Sequence, residues 1–462
     1  MSTAPAPAAV RRQPWPDYRA VWRWHFYAGL LCIPFVCFLA VTGAIYLFRP
    51  QVDAWLDRPY DDLPGVQAAA PSQAVAAALA ASPGWALHAY QLPRTEHSAA
   101  QVVLGRGGVE RRLYVDRATL RVVKAEPEEG RFMRVIFHLH GELLLGDRGS
   151  NLVELAASWA IVMILTGLYL WWPRGAGLGG VLYPRLYGRL FWRDLHAVTG
   201  FWISALALFM LVSGLPWASN WGGYLKEIRR LTGTAAAHQD WTTGRASEVA
   251  LNRERDAAGM AGMPGMADMG GGAAMAPLAS LAPLDRAASV VAALDLPPPV
   301  LLAPPSRPGG PWTGRSDTQD RPLRVTVTLD PATGAVLSRK GFAQQNIVDQ
   351  VVAVGVAAHE GQLFGWLNQA LGVALAAGLV TLSVSAVVLW WRRRPPRTLG
   401  APAPAARPRF SLLLASLVVL LGVALPLFGA SLVAVALADR LLLRRISSIR
   451  RWLDLGGAAS AA

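Results

Sequence analysis

The sequence predicts an α-helical membrane bundle of four core spans plus a C-terminal kinked span or hairpin, carrying two small α+β outer domains and built on an internal two-fold repeat. Three observations lead there. Of the 462 residues, 53% are hydrophobic and only 16% charged, against about 25% charged in an ordinary soluble domain, and the mean hydropathy is +0.31. The apolar residues gather into runs long enough to cross about 30 Å of hydrocarbon. Four histidines and their flanking residues then recur at matching offsets in the two halves of the chain.

This composition excludes a disordered chain and does not suit a purely soluble enzyme. A formal net charge of +14 and a pI near 10.5 would suit nucleic acid. However, Lys and Arg sit in short clusters at the ends of apolar runs, as membrane topology requires, and not along a binding stripe. Nucleic acid is therefore not an expected partner. Cys32 and Cys37 both lie inside an apolar run, which excludes a disulfide framework, a zinc site and a covalent CxxCH attachment. The chain has no P-loop, HExxH or nucleophile elbow, so neither P-loop nucleotide binding nor hydrolase chemistry is encoded locally.

Residues 1–22 are read as a cytoplasmic N-terminus and 23–48 as the first span, with the apolar run Phe26–Leu47. That run is too long, and too free of a small-residue cleavage site, for a removed signal peptide, and Arg11–Arg12 read as topology charge. Residues 49–130 form the first outer domain. An Ala-rich helix is expected around Pro71–Ala81, then strands at Ala86–Leu92, Gln101–Leu104, Leu113–Val115 and Val122–Val123. An interfacial segment and the second span fill 131–172, a cytoplasmic loop 173–194, and the third span 195–217. The second outer domain, 218–343, ends in a strand at Arg324–Leu329, the turn Asp330-Pro331-Ala332-Thr333-Gly334 and a strand at Val336–Leu337. Within it, 256–276 is rich in Met and Gly and reads as mobile. The fourth span closes 344–391, a cytoplasmic loop runs over 392–409, Pro426 and Gly429 interrupt the apolar region 410–443, and 444–462 is a basic tail. Direction follows from Arg19 and Arg23 before the first span, Arg174, Arg185, Arg189 and Arg193 after the second, and Arg392, Arg393, Arg394 and Arg397 after the fourth. These flanks are cytoplasmic by the positive-inside rule, and the tail joins them if 410–443 crosses twice.

The repeat is the most informative feature. His25 and His196 each start an outward-running span; four residues on stand Gly29 and Gly200, and seventeen and eighteen residues on stand Thr42–Gly43 and Ser213–Gly214. His140 and His359 each precede an inward-running span; six residues on stand Gly146 and Gly365, and thirty-one and thirty-two on stand Trp171–Trp172 and Trp390–Trp391. Both copies run in the same membrane direction, so the expected relation is a pseudo-two-fold axis along the membrane normal.

That symmetry pairs His25 with His196 near the cytoplasmic face and His140 with His359 near the outer face. Two facing imidazoles are suitable axial ligands for haem iron, so two haem b groups per chain are expected. Gly29, Gly43, Gly200 and Gly214 would let the macrocycle approach the backbone, and Arg23 and Arg193 would supply cations for the inner propionates. A lone interfacial His is more often an anchor; four at repeat-equivalent positions argue for ligation. His138 stands two residues before His140 as a supporting residue or alternate ligand. Glu360 is placed to orient His359, with Gly355, Gly361 and Gly365 leaving room. A helix running unbroken from His140 to Trp172 would measure about 48 Å, so 146–151 is expected to break it and leave His140 in an interfacial turn. His88, His97 and His238 lack partners at ligand spacing and read as surface residues. Met260, Met263, Met266, Met269 and Met275 read either as a linker or as thioether ligands for Cu(I).

Several segments resemble one family. Leu139-His140-Gly141-Glu142-Leu143-Leu144-Leu145-Gly146, Thr166-Gly167-Leu168-Tyr169-Leu170-Trp171-Trp172-Pro173, Asp194-Leu195-His196 and Ala358-His359-Glu360-Gly361-Gln362-Leu363-Phe364-Gly365, with the Asp-Pro-x-Thr-Gly turn, are similar to the PepSY-associated transmembrane family of bacterial iron-regulated membrane proteins. The likeness runs from about Trp22 to Leu443. It implies two PepSY-like outer domains on an inner-membrane bundle, and some members resemble haem-containing reductases of periplasmic ferric siderophores. The first turn departs from the pattern, with Leu120 where Gly is usual.

The expected function is thus transmembrane electron transfer, in which electrons enter near the cytoplasmic face and reduce a ferric siderophore or other ferric chelate outside. Fe(III) is held by hard oxygen donors and Fe(II) far less tightly, so one-electron reduction suffices for release. The donor would be membrane quinol or a cytoplasmic flavin or NAD(P)H reductase. Two alternatives stand beside it: a non-enzymatic PepSY regulator of periplasmic proteases, in which the histidines are structural, and a haem-dependent copper reductase that uses the methionine segment.

Overall fold

The computed structural model describes residues 18–65, 68–173, 179–234, 281–305, 309–402 and 412–455. Expectations for Arg11, Arg12, Arg174, His238 and the methionines of 256–276 lie outside the described residues. Among the described residues, five helices are long and apolar enough to cross a membrane: Tyr18–Tyr46, Asp147–Trp171, Phe191–Trp217, Trp366–Arg393 and Pro426–Leu443. The chain divides into two compact units, one of residues 1–40, 151–212 and 375–462, the other of 41–150 and 213–374.

In chain order the elements are α1 (Tyr18–Tyr46), α2 (Arg49–Asp57), α3 (Pro71–Ala80), β1 (Ala86–Gln91), β2 (Ala100–Arg106), β3 (Val109–Val115), β4 (Val122–Pro127), α4 (Phe132–Glu142), α5 (Asp147–Trp171), α6 (Phe191–Gly214) and α7 (Ser219–Leu231). They continue with α8 (Ala282–Ala293), β5 (Val300–Ala303), β6 (Trp312–Ser316), β7 (Thr326–Leu329), β8 (Val336–Lys340), α9 (Ile347–His359), α10 (Trp366–Arg393), α11 (Leu412–Ala424), α12 (Pro426–Ala438) and α13 (Ser447–Trp452).

The first unit is helical. Trp171 stacks on Phe201 with ring centres 4.0 Å apart, and Trp159 Nε1 donates to Ser431 Oγ at 3.0 Å, tying α5 to α12. A Cβ on Gly378 would stand 2.9 Å from Ile203, so the missing side chain lets α6 and α10 close up. Region 410–443 is broken at Leu425 into α11 and α12, with Gly429 so near Gly422 that a Cβ would lie 2.7 Å from the Gly422 carbonyl.

The second unit carries the sheet. The strands expected for the two outer domains lie side by side: among the described residues eight strands form one antiparallel sheet in the order β4-β3-β2-β1-β5-β6-β7-β8. The join is the β1–β5 pair, Tyr90 opposite Leu302 and Gln91 opposite Leu301. The reason is physical: each four-stranded half would end in an unpaired edge, and pairing edge to edge removes two of the four. Helices α3 and α8 cover one face over Val75, Leu104, Leu113, Leu284, Val291, Leu302 and Leu329, all at most 1% exposed.

Two hairpin turns match in detail. Asp330 accepts from the Ala332 and Thr333 N–H groups, and Gly334 takes φ +75°. Asp116 accepts from the Ala118 N–H and the Thr119 hydroxyl, and Leu120 takes φ +58°. A left-handed leucine costs about 1–2 kcal/mol, which the Asp-centred bonds offset, so the turn survives without its glycine.

Chain reversal before α5 also differs from expectation. The break falls at 143–146, where Leu143, Leu144 and Gly146 all have positive φ, and Gly149 and Asn151 lie inside α5. His140 is therefore in the last turn of the amphipathic helix α4 and not in a turn. Gly149 is obligatory there, since a Cβ would sit 1.6 Å from the Glu142 carbonyl oxygen.

Candidate functional site

Within the first unit, the His25 and His196 rings face each other with centres 6.4 Å apart and planes at 82°. Within the second unit, His140 and His359 repeat the arrangement at 6.4 Å and 75°. The four histidines therefore come together in the two pairs that the offsets anticipate.

Each ring is fixed through Nδ1. His25 Nδ1 donates to the Met163 carbonyl at 3.1 Å and lies 3.1 Å from Thr166 Oγ1. His196 Nδ1 donates to the Leu382 carbonyl at 3.2 Å and lies 3.1 Å from Ser385 Oγ. A carbonyl can only accept, so in both rings the proton sits on Nδ1 and Nε2 keeps its lone pair. Both hydroxyls donate to backbone carbonyls of their own helices, which leaves their oxygens to face the imidazole. In the second unit, His140 Nδ1 bonds Thr42 Oγ1 at 3.1 Å and His359 Nδ1 bonds Ser213 Oγ at 2.9 Å. Thus every imidazole meets a Thr or Ser hydroxyl from another helix in its own half of the chain, while each ring pair joins the two halves.

Glycines give the rings their space. A Cβ would stand 3.0 Å from His140 Cε1 at Gly43, 3.2 Å from His25 Cε1 at Gly167, and 3.2 Å from His359 Cε1 at Gly214. Of the four glycines expected, Gly43 and Gly214 touch imidazoles, whereas Gly29 faces Met163 and Gly200 faces Leu382. Gly167 was missed, as were Thr166 and Ser385. The signal was present: both hydroxyls stand twenty-six residues after a paired histidine, His140 and His359.

Other expected residues are engaged differently. Arg23 donates to the carbonyls of Pro402, Leu453 and Asp454 and to Tyr27. Arg193, with Arg185, clamps the fully buried Asp194 carboxylate. Glu360 is paired with Arg321 at 3.6 Å and does not orient His359, a role taken by Ser213. Gly361 and Gly365 serve positive-φ turns, and Gly355 faces Ser213. His88 is paired with Glu110 at 2.9 Å.

His138 has both ring nitrogens committed, Nε2 to Glu129 at 2.7 Å and Nδ1 to Glu142 at 3.1 Å. Those two carboxylates raise its pKa to about 9, against burial. A raised folded pKa means that the folded state holds the proton more tightly. The resulting stabilisation is fully present below the unfolded value of about 6.5 and is lost as pH rises through about 9. Thermal midpoints of detergent-solubilised protein should therefore fall across pH 6.5–9, and His138→Gln should flatten that slope. A slope unchanged in His138→Gln would remove this assignment.

Among the described residues no three His, Cys, Asp or Glu side chains gather as a self-sufficient metal site. Each histidine pair instead offers two facing imidazoles, which could hold only a metal that arrives with other ligands of its own. The family model described as the PepSY-associated TM region matches residues 22–393. No curated protein matches the chain. With five apolar helices of spanning length, the match makes this a multi-pass membrane protein.

Proposed function

The chain belongs to the PepSY-associated transmembrane family, and from that premise we propose an inner-membrane electron-transfer protein that holds two b-type haems and reduces ferric chelates on the outer side for iron acquisition. The observation that carries the reading is the fourfold motif of a paired imidazole whose Nδ1 is held by a Thr or Ser hydroxyl. The geometry suits the group. A metal–imidazole bond is about 2.0 Å, and a ring centre lies about 1.1 Å inside its nitrogen, so two imidazoles on one metal stand about 6.2 Å apart, centre to centre. Both pairs stand at 6.4 Å.

A haem held by these pairs would supply an iron that gains or loses a single electron. The chain's residues do the rest. The carbonyl anchors hold His25 and His196 in the tautomer that presents Nε2, hydroxyls fix Nδ1 of His140 and His359, and Gly43, Gly167 and Gly214 keep the Cε1 edges of their rings clear of side chains. His138, with both nitrogens on carboxylates, is left out of ligation. Strand order reading outward from the central β1–β5 pair is what a two-fold repeat of one unit would give. The basic flanks argue for a cytoplasmic N-terminus, which puts the His25–His196 pair on the donor side and the His140–His359 pair on the chelate side. Quinol or a cytoplasmic reductase would supply the electrons.

A reduced-minus-oxidised optical spectrum with a pyridine haemochrome assay tests this. Protein expressed with haem supply should show low-spin b-type bands and two haems per chain. Absence of a Soret band would sink the reading and leave the histidines structural; one haem or fewer would sink the four-ligand scheme.

A further inference from the structure

In the first unit, a basic segment near the C-terminus goes unused by the histidine pairs. Residues 439–455 begin in the last turns of the apolar helix Pro426–Leu443 and hold five arginines against two aspartates. Arg444 pairs with Asp439 at 2.9 Å. Arg440, Arg445, Arg450 and Arg451 are exposed and form no ion pair among the described residues. Between these arginines stand exposed apolar side chains, Leu441, Leu442 and Ile446, and Trp452 follows them. Leu441 and Leu442 come directly after the exposed Val433, Val435 and Leu437 of α12.

This segment is tied into the bundle by its backbone. The Leu399 N–H donates to the Trp452 carbonyl at 2.8 Å, and Trp390 Nε1 donates to the Leu399 carbonyl at 2.8 Å. Arg23 Nη2 donates to the Leu453 and Asp454 carbonyls at 3.4 and 2.9 Å, and its Nη1 to the Pro402 carbonyl at 2.5 Å. The Tyr27 hydroxyl donates to the Leu453 carbonyl at 2.6 Å. Arg23 and Tyr27 stand two residues either side of His25. The residues closing α13 therefore clasp the start of α1, on the face of the bundle that holds the basic flanks at Arg19–Arg23 and Arg392–Arg397. On its own side the segment spends only carbonyls in that clasp, so the arginine side chains of α13 are left pointing to another surface.

We propose that residues 439–455 form a docking surface for anionic phospholipid headgroups, and that docking holds the clasp on α1 closed at the end that carries His25. Continuity with a helix of spanning length brings the headgroups within reach. The planar guanidinium fork is suited to phosphate, and tryptophan settles at headgroup depth. Basic residues interleaved with exposed Leu, Ile and Trp are the composition of a segment that lies in the interface. A soluble acidic partner would meet the arginines and yet leave Leu441 and Leu442 in water. The clasp consists of hydrogen bonds within the chain, so this inference does not rest on haem.

The test is amide hydrogen exchange of the full-length protein in phosphatidylcholine nanodiscs with and without phosphatidylglycerol. Each arginine near an anionic surface gives about a fivefold factor, so Arg445, Arg450 and Arg451 together should slow exchange over 446–455 by on the order of 100-fold when phosphatidylglycerol is present. The first turns of α1 should slow with it. The triple variant Arg445→Gln/Arg450→Gln/Arg451→Gln should lose the difference between the two lipids. The triple variant Arg445→Lys/Arg450→Lys/Arg451→Lys should keep it, because charge carries the effect. Soluble glycerol phosphate added to phosphatidylcholine nanodiscs should give no protection. Equal exchange in both lipids, a Gln variant protected like wild type, a Lys variant that loses protection, or protection by soluble glycerol phosphate would each overturn the docking surface. Slowing confined to 446–455, with α1 unchanged, would overturn its hold on the clasp. Exchange is read equally well on haem-free protein, so failure here and failure of the haem reading are separate results.

Discussion

His359→Ala protein is expected to keep one haem of the two and to lose reduction of an outer ferric chelate by at least about 100-fold, more than the 10–100-fold that loss of an outer-shell metal partner costs. The reason lies in how little else could replace that ring. His359 ends α9, bonded through Nδ1 to Ser213 Oγ at 2.9 Å and facing His140 at 6.4 Å. The one histidine close to this pair in sequence, His138, holds a carboxylate at each nitrogen and has no lone pair to offer. His25 and His196 keep their own anchors on Met163, Thr166, Leu382 and Ser385, so their haem should still be reducible by the donor. Optical spectra and chelate reduction in vesicles read both halves of this result. A folded, membrane-inserted His359→Ala protein that reduces the chelate at the normal rate would refute the relay.

Much of this site was legible because a repeat writes the same constraint twice. The shared offset from His25 to Thr42 and from His196 to Ser213 marks the hydroxyls that later meet His140 and His359. The same logic reaches Thr166 and Ser385, but only when offsets are counted from the second histidine of each repeat. Features present in only one half carry no such signal. His138 corresponds to Ala357, so nothing in the second half hints that Glu129 and Glu142 will enclose it. Glu360 corresponds to Gly141, and its pairing with Arg321 across 39 residues is visible only once folded. Arg23 finds its carbonyl partners more than 370 residues away, at Pro402, Leu453 and Asp454.

The sheet illustrates the same limit. Individual strands announced themselves by β-branched and alternating residues, and the hairpins by their Asp-centred turns. Which edge meets which is a different question, decided by the cost of leaving β1 and β5 unpaired. Only two residue pairs make that join, Tyr90–Leu302 and Gln91–Leu301. No local pattern in either strand specifies a partner more than two hundred residues distant.

Asp349→Ala should destabilise the second unit by about 3–5 kcal/mol, the cost of stranding one member of a buried ion pair. Arg229, on α7, is 2% exposed and Asp349, on α9, is 6% exposed. Their contact is two-pronged, Nη1 to Oδ1 at 2.8 Å and Nη2 to Oδ2 at 3.1 Å, while Nη2 also donates to the Thr234 carbonyl at 2.7 Å. The Asn346 side chain caps the same helix by accepting from the Val348 and Asp349 N–H groups, so the first turn of α9 is held on two sides. Ten residues later that helix delivers His359. At roughly 2–4 °C per kcal/mol for a unit of this size, the thermal midpoint should fall by roughly 10 °C. Removing both charges distinguishes a clamp from mere packing: Arg229→Met/Asp349→Leu leaves no uncompensated ion and should recover most of the loss. Scanning fluorimetry on the three proteins decides it. A midpoint in Asp349→Ala within a degree of wild type, or a double variant no better than the single, would mean that α9 is positioned by something other than this pair.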